Sequence, residues 1–137
     1  MATHYDVFLS YQHEDKQWAS KLVEALSEAG IRVWSDMELN FGDVLSDKIE
    51  QALHSSDYTV FVLNRESVRS NWTAAELGAA LALGKPMIPV VASDVPWEDI
   101  PGPVRIRKYL PLGDPKAVAE EVARTITSGR EPNSHSE

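Results

Sequence analysis

Three short runs of almost unbroken apolar residues divide the chain: "YDVFLSY" (residues 5–11), "YTVFVLN" (58–64) and "PMIPVVA" (86–92). Each is rich in Val, Ile, Leu or Phe and lacks the in–out alternation of a half-exposed strand. That is the pattern of strands in a sheet covered on both faces. A shorter fourth run, "IRVWS" (31–35), follows a glycine. "VRIRKYL" (104–110) alternates basic and apolar positions and predicts a fifth strand with one solvated face.

Between the runs the period changes to that of a helix. "DKQWASKLVEALSEAG" places Trp18, Leu22, Ala25, Leu26 and Ala29 on one stripe, with Gly30 as the residue after the cap. "VLSDKIEQALHSS" does the same with Leu45, Ile49, Ala52 and Leu53. "SNWTAAELGAALALGKP" (70–86) reads as one amphipathic helix closed by Gly84, with Pro86 beyond it. "PKAVAEEVARTIT" closes the series with Val118, Val122 and Ile126. Strands alternating with helices predict an α/β fold: a flavodoxin-like three-layer sandwich, with a five-stranded parallel sheet and helices on both faces. One domain over residues 1–128 is expected. Residues 129–137 are nearly devoid of apolar side chains and predict a disordered tail.

Charge and composition narrow the function. The net charge of −8 disfavours nucleic-acid partners, because an acidic chain repels phosphate backbones. The one basic cluster is "RIRKY" (105–109). With no cysteine there is neither a disulfide framework nor a thiolate metal site, which fits a reducing, cytoplasmic setting. No apolar run is long enough to cross a bilayer, and "MATHYD" has no secretory-signal pattern, so no membrane partner is expected.

In an open parallel sheet of order 2-1-3-4-5, ligands bind outside the carboxyl ends of the strands, between the first and third. The first strand ends in Ser10-Tyr11-Gln12-His13, the second in Trp34-Ser35-Asp36, and the third in Asn64-Arg65-Glu66. The helix carrying Trp72 and Glu76 follows. Glu76 lies one turn from Trp72 and shares a face with Ala79, Ala80 and Leu83, an apolar setting that penalises a charge. Thr73-x-x-Glu76 also has the spacing of a capping box, in which the carboxylate folds back on the first turn and does no chemistry. Spacing alone leaves both readings open. The phosphate-cradling glycine motifs and the G-x-S-x-G elbow are absent. His4, His13, His54 and His135 show no metal-ligand spacing, so no residue is assigned to a metal. A phospho-receiver domain has the same architecture, but Asn64 stands where it needs an acid. His13-Glu14-Asp15 only loosely imitates its acidic pair, although Ser93 could supply its hydroxyl.

Taken together, "YDVFLSYQHED", "GIRVWSDMELNFGD", "SVRSNWTAAELGAALALGKPMIPVV" and "VPWEDIPGPVRIRKYLPL" resemble a TIR (Toll/interleukin-1 receptor) domain. Ser67, Ser70, Trp72 and Glu76 fall on the family's S-x-x-S-x-W-x-x-x-E segment. The loop after the second strand, "DMELNFGD", is acidic and lacks the R-D-x-x-P-G signature of animal receptors, and "RKYLPL" stands where those have Phe-Trp. Both departures point to the bacterial, enzymatic branch. The resemblance implies an NAD⁺ glycohydrolase that releases nicotinamide and ADP-ribose or a cyclic isomer, acting in bacterial antiphage defence, with NAD⁺ as substrate rather than cofactor. It implies Glu76 as the essential carboxylate and Trp72 beside the nicotinamide pocket. Ser10, Tyr11 and Gln12 fall where the family contacts the nucleotide, though ordinary loop roles fit them too, and Trp34 is either core or cleft wall. The alternative is a non-catalytic scaffold working through homotypic TIR–TIR association, with Phe41-Gly42 as a docking element.

Overall fold

The computed structural model describes residues 4–11, 13–35, 47–66, 68, 84–100 and 109–130, with backbone alone at 13, 47–50, 129 and 130. Five strands form one sheet: β1 (Tyr5–Ser10), β2 (Val33–Ser35), β3 (Ser56–Leu63), β4 (Met87–Val91) and β5 (Leu110–Pro111). All neighbours are parallel, and the order is β2-β1-β3-β4-β5, so the chain reverses direction of growth between β1 and β3. The described helices are α1 (Lys16–Glu28), α2 (Asp47–His54) and α3 (Pro115–Arg130), with single 3-10 turns at His13–Asp15 and Trp97–Asp99. This is the expected flavodoxin-like three-layer sandwich.

Alternation along the central strands feeds two cores, which is why their sequences look continuously apolar. Val7, Leu9, Val60, Val62, Ile88 and Val90 point to one side and meet Ala19, Leu22 and Leu26 of α1 with Val118, Val122 and Ile126 of α3. Phe8, Phe61, Leu63 and Val91 point to the other and meet Ala52 and Leu53 of α2 with Val95 and Ile100. Burying a side chain of this size is worth about 1.5–3 kcal/mol relative to exposure, so the two apolar faces fix the register of β1 and β3.

Several element ends differ from the expected ones for local reasons. β3 starts at Ser56 rather than residue 58. Ser56 is fully buried, and its hydroxyl donates to the Ala52 carbonyl at 2.6 Å, so a polar residue that reads as a helix tail satisfies itself inside the sheet. Ala29, expected on the apolar stripe of α1, is exposed, because α1 stops at Glu28 and Ala29 is already its cap. The described part of the fifth strand is confined to Leu110–Pro111, at the far end of the stretch proposed for it. Residues 104–108 of that stretch lie outside the described residues. So do the loop 36–43, Leu45, and all of the expected helix 70–86 except Gly84, Lys85 and Pro86. α3 runs on to Arg130, and residues 131–137 of the proposed tail lie outside as well.

The end of α1 shows how the sequence sets a turn. Gly30 has φ +84°, its N–H bonds the Ser27 carbonyl at 3.0 Å, and the Ile31 N–H bonds the Leu26 carbonyl at 3.0 Å. This pair of bonds, with Leu26 and Ile31 both buried, is a Schellman ending that releases the chain directly into β2. Space is open around Gly30, so only backbone conformation opposes a side chain there. Gly30→Ala should therefore destabilise the fold by about 1 kcal/mol in urea unfolding. Gly113→Ala, also in open space but without a positive φ, should stay within about 0.5 kcal/mol of wild type. Equal effects at the two positions would refute the conformational origin.

Candidate functional site

The switch point of the sheet lies where β1 and β3 end side by side, paired as far as Ser10 opposite Phe61. Ser10 is buried at the end of β1 and shares the α2-facing side of the strand with Phe8. Tyr11 turns the other way and is buried in the α1–α3 core with Leu9 and Leu22. Trp34 of β2 is half-buried and stacks on Phe8, with ring centroids 4.9 Å apart and planes 10° from parallel. It is thus a wall of the α2-side core, one strand away from the switch point. Of the proposed ligand contacts, Ser10 and Trp34 share one face and Tyr11 does not. Gln12, Trp72 and the proposed catalytic Glu76 lie outside the described residues, and at His13 only the backbone is described.

Two residues that the sequence reading left without a role meet across the switch point. Asn64, immediately after β3, donates from Nδ2 to Asp15 Oδ2 at 2.6 Å, while its Oδ1 accepts the Glu66 N–H at 2.9 Å. One side chain thus bridges the loop after β1 and the loop after β3. Asp15 occupies the N-cap position of α1, yet its carboxylate makes no capping bond, because it is turned toward Asn64 instead. Burial raises the Asp15 pKa above its ordinary value, the Asn64 hydrogen bond works against that shift, and the charge of Glu14 adds to it. A half-buried carboxylate that resists ionisation, set at the carboxyl ends of a parallel sheet, is a recognised mark of a functional site. The signal was visible in sequence as an acid closing the loop after the first strand and an amide closing the third. What the sequence did not give was their contact.

Asn64 also explains why the receiver architecture does not bring receiver chemistry. An acid in its place would set two carboxylates against each other and call for a cation between them. The amide makes the same contact a hydrogen bond to a single charge. Ser93, the hydroxyl such chemistry would need, is exposed after β4.

A groove of about 460 Å³ lies elsewhere, lined by Lys21, Glu24, Ala25 and Glu28 of α1 and by Asp114, Pro115 and Lys116 at the start of α3. It sits on the outer flank of the helical layer. The switch-point crevice takes precedence on chemical grounds, because buried Ser10 and the half-buried Asp15–Asn64 pair converge there, whereas the charged groups of the groove are mostly exposed.

With this geometry in place, a family model described as "TIR domain" matches residues 7–126. The chain belongs to the TIR domain family. Among relatives of this TIR domain, the 2' cyclic ADP-D-ribose synthase AbTIR of Acinetobacter baumannii is 38% identical over 80 residues, covering 57% of this chain and 30% of that protein. The NAD(+) hydrolase TcpA of a Theionarchaea archaeon is 39% identical over 80 residues, covering 57% of this chain and 24% of that protein. The matched stretch therefore spans less than a third of the length of each of these two relatives. The crystal structure of the TIR domain of the Toll-related receptor TRR-2 from Hydra magnipapillata superposes with a TM-score of 0.69 at 25% identity, covering 90% of this chain and 98% of that one.

The Asp15–Asn64 contact makes a signed prediction. Asn64→Asp places two carboxylates at hydrogen-bond distance, which raises their folded-state pKa values above the unfolded ones. Such groups penalise the fold at neutral pH, and the penalty disappears as pH falls and they bind protons. The midpoint of thermal unfolding of Asn64→Asp should accordingly lie below wild type at pH 7 and approach it near pH 4, whereas Asp15→Asn, which keeps an acceptor for Asn64, should not fall below wild type at pH 7. A pH-independent deficit in Asn64→Asp would contradict the assignment.

Proposed function

We propose that this TIR domain cleaves NAD⁺ at the nicotinamide–ribose bond, with Glu76 as the essential carboxylate. The observation that carries the reading is the W-x-x-x-E segment at Trp72 and Glu76, on the stretch of chain that leaves β3 at the switch point just beyond the Asn64–Asp15 bridge. Support comes from relatives whose names state NAD⁺ hydrolysis or cyclic ADP-ribose synthesis.

The chemistry needs little more than that. Nicotinamide leaves as a neutral ring from a cationic bond, so it requires little acid assistance. As the bond breaks, positive charge grows on the ribose, as in glycoside hydrolysis. A fixed carboxylate close to the sugar stabilises that charge, most effectively where an aromatic wall excludes water. In this reading Glu76 faces the ribose, Trp72 forms the wall beside nicotinamide, and Ser10 and Gln12 line the nucleotide side, while Tyr11, buried in the α1–α3 core, supports the end of β1 from behind. Attack by water gives ADP-ribose, and attack by a nucleophile of the same molecule gives a cyclic isomer. The setting is cytosolic, in bacterial antiphage signalling. Among the described residues no helix is long and apolar enough to cross a membrane.

TIR–TIR self-association completes the site in this proposal, with the loop around Phe41-Gly42 as docking element. Purified protein incubated with NAD⁺ should release nicotinamide, read by liquid chromatography, with turnover per molecule rising as protein concentration rises. Glu76→Ala should lower release by roughly a hundredfold or more while leaving circular dichroism and self-association unchanged. Undiminished release from Glu76→Ala would reject the catalytic assignment. No release from folded, assembled wild type would favour the scaffold.

A further inference from the structure

We propose that the amino-terminal edge of the β1–β3 pair is a binding site for a divalent transition-metal ion of the zinc type, held by His4, Asp6 and Asp57. The site is independent of NAD⁺ cleavage. It lies at the opposite ends of these strands from the crevice, about 20 Å away across the six residues of β1.

The register pairs Tyr5 with Ser56 and Val7 with Tyr58, which makes Asp6 and Asp57 cross-strand neighbours. That relation puts both carboxylates on one side of the sheet, at its amino end. His4 lies two residues before Asp6, on the same side of the chain, and its Nε2 is 3.1 Å from Asp57 Oδ2. One donor atom from each of the three side chains falls within a set whose members all lie within 4.8 Å of one another. Donors on a tetrahedral zinc with bonds of about 2.0 Å are about 3.3 Å apart. The His4–Asp57 pair already has that spacing, and no pair in the set has to close by more than about 1.5 Å.

Asp6 is the rigid member. It is buried, and its Oδ2 accepts the Arg32 N–H at 2.8 Å, which fixes the carboxylate plane as a supporting bond fixes a metal ligand. A carboxylate can accept an N–H and still ligate a metal, because its two oxygens offer about four lone-pair positions. One imidazole nitrogen with two carboxylate oxygens favours zinc and its neighbours over magnesium or calcium. Water would take the fourth position. Histidine spacing gave no hint of this set, since only one donor is a histidine and Asp57 arrives from another strand. By tying the start of β1 to the start of β3, the ion would stabilise the central pair of the sheet.

The test titrates chelator-treated full chain with zinc chloride by calorimetry and follows thermal unfolding with and without the metal. One equivalent should bind and raise the unfolding midpoint, while magnesium chloride does neither. His4→Ala and Asp57→Asn, both at accessible positions, should each weaken binding by about tenfold or more and remove the shift. Glu121→Gln, an exposed carboxylate on α3, should change nothing. Cobalt(II) provides a readout that does not rest on stability: wild type should give the visible absorption of a low-symmetry N/O site, and His4→Ala should lose it. Absence of saturable zinc binding by wild type would overturn the proposal, and so would equal affinity and midpoint shift in His4→Ala and Asp57→Asn.

Discussion

The structure depends on one constraint: the β1–β3 pair is buried on both faces. Val7, Phe8 and Leu9 on one strand, and Val60 to Leu63 on the other, are all but inaccessible to water. A strand in that position cannot carry a polar side chain along its middle without a penalty of about 1–3 kcal/mol for an unmet hydrogen bond. Chemistry is therefore expelled to the ends of the strands. At the carboxyl ends it appears as Ser10, Asn64 and Asp15, and at the amino ends as His4, Asp6 and Asp57. The helices α1, α2 and α3 follow from the same constraint, because each apolar face of the pair needs a covering layer.

Three buried polar residues of the sheet, Ser56, Thr59 and Asp6, are each bonded to backbone of a neighbouring element, so each also ties elements together. Ser56 bonds the last turn of α2. Thr59 donates from both its N–H and its hydroxyl to the Pro86 carbonyl, fixing the start of β4. Asp6 accepts the Arg32 N–H and fixes the approach to β2. Asn64 differs in bonding one side chain and one backbone group from two different loops, which makes it the hinge pin of the crevice rather than a strand fastening. Trp18 performs a similar task on the helical layer, its indole donating at 2.7 Å to the Gly113 carbonyl just ahead of α3.

Strand periodicity made the architecture readable because both faces of each central strand had to be apolar, and no helix of that length would be so uniformly hydrophobic. Order and parallel sense followed from strand–helix alternation. The element ends were less readable, for a physical reason: Ser56 and Ala29 take their places from local hydrogen bonding, which overrides the polarity of the side chain. At the candidate site, the sequence placed Ser10, Tyr11 and Asn64 at the carboxyl ends of β1 and β3, where they stand, because that depends only on where a strand stops. It could not show that Tyr11 turns into the α1–α3 core or that Trp34 stacks on Phe8, since those depend on which face a residue occupies. The Asp15–Asn64 and Asp6–Asp57 relations were invisible for a similar reason. Both join residues about 50 positions apart, and nothing in either local segment encodes the partner.

The crevice contains an apparent excess of acid for a protein that already carries a charge of −8. On the proposed reading the acids have separate duties. Asp15 resists ionisation because it is half-buried beside Glu14, and a ligand that arrives with positive charge relieves that penalty on binding. The nicotinamide ring of NAD⁺ carries such a charge before any bond breaks. Attraction of that kind is felt equally by substrate and transition state, so it strengthens binding without lowering the barrier. Only a carboxylate aimed at the ribose, where charge is absent at first and appears as the bond lengthens, discriminates between the two. That is the role left for Glu76. One acid in the crevice can therefore bear a burial penalty on its charge and be shared with an amide, while on the proposed reading the acid on the segment after β3 has to be ionised and held rigid.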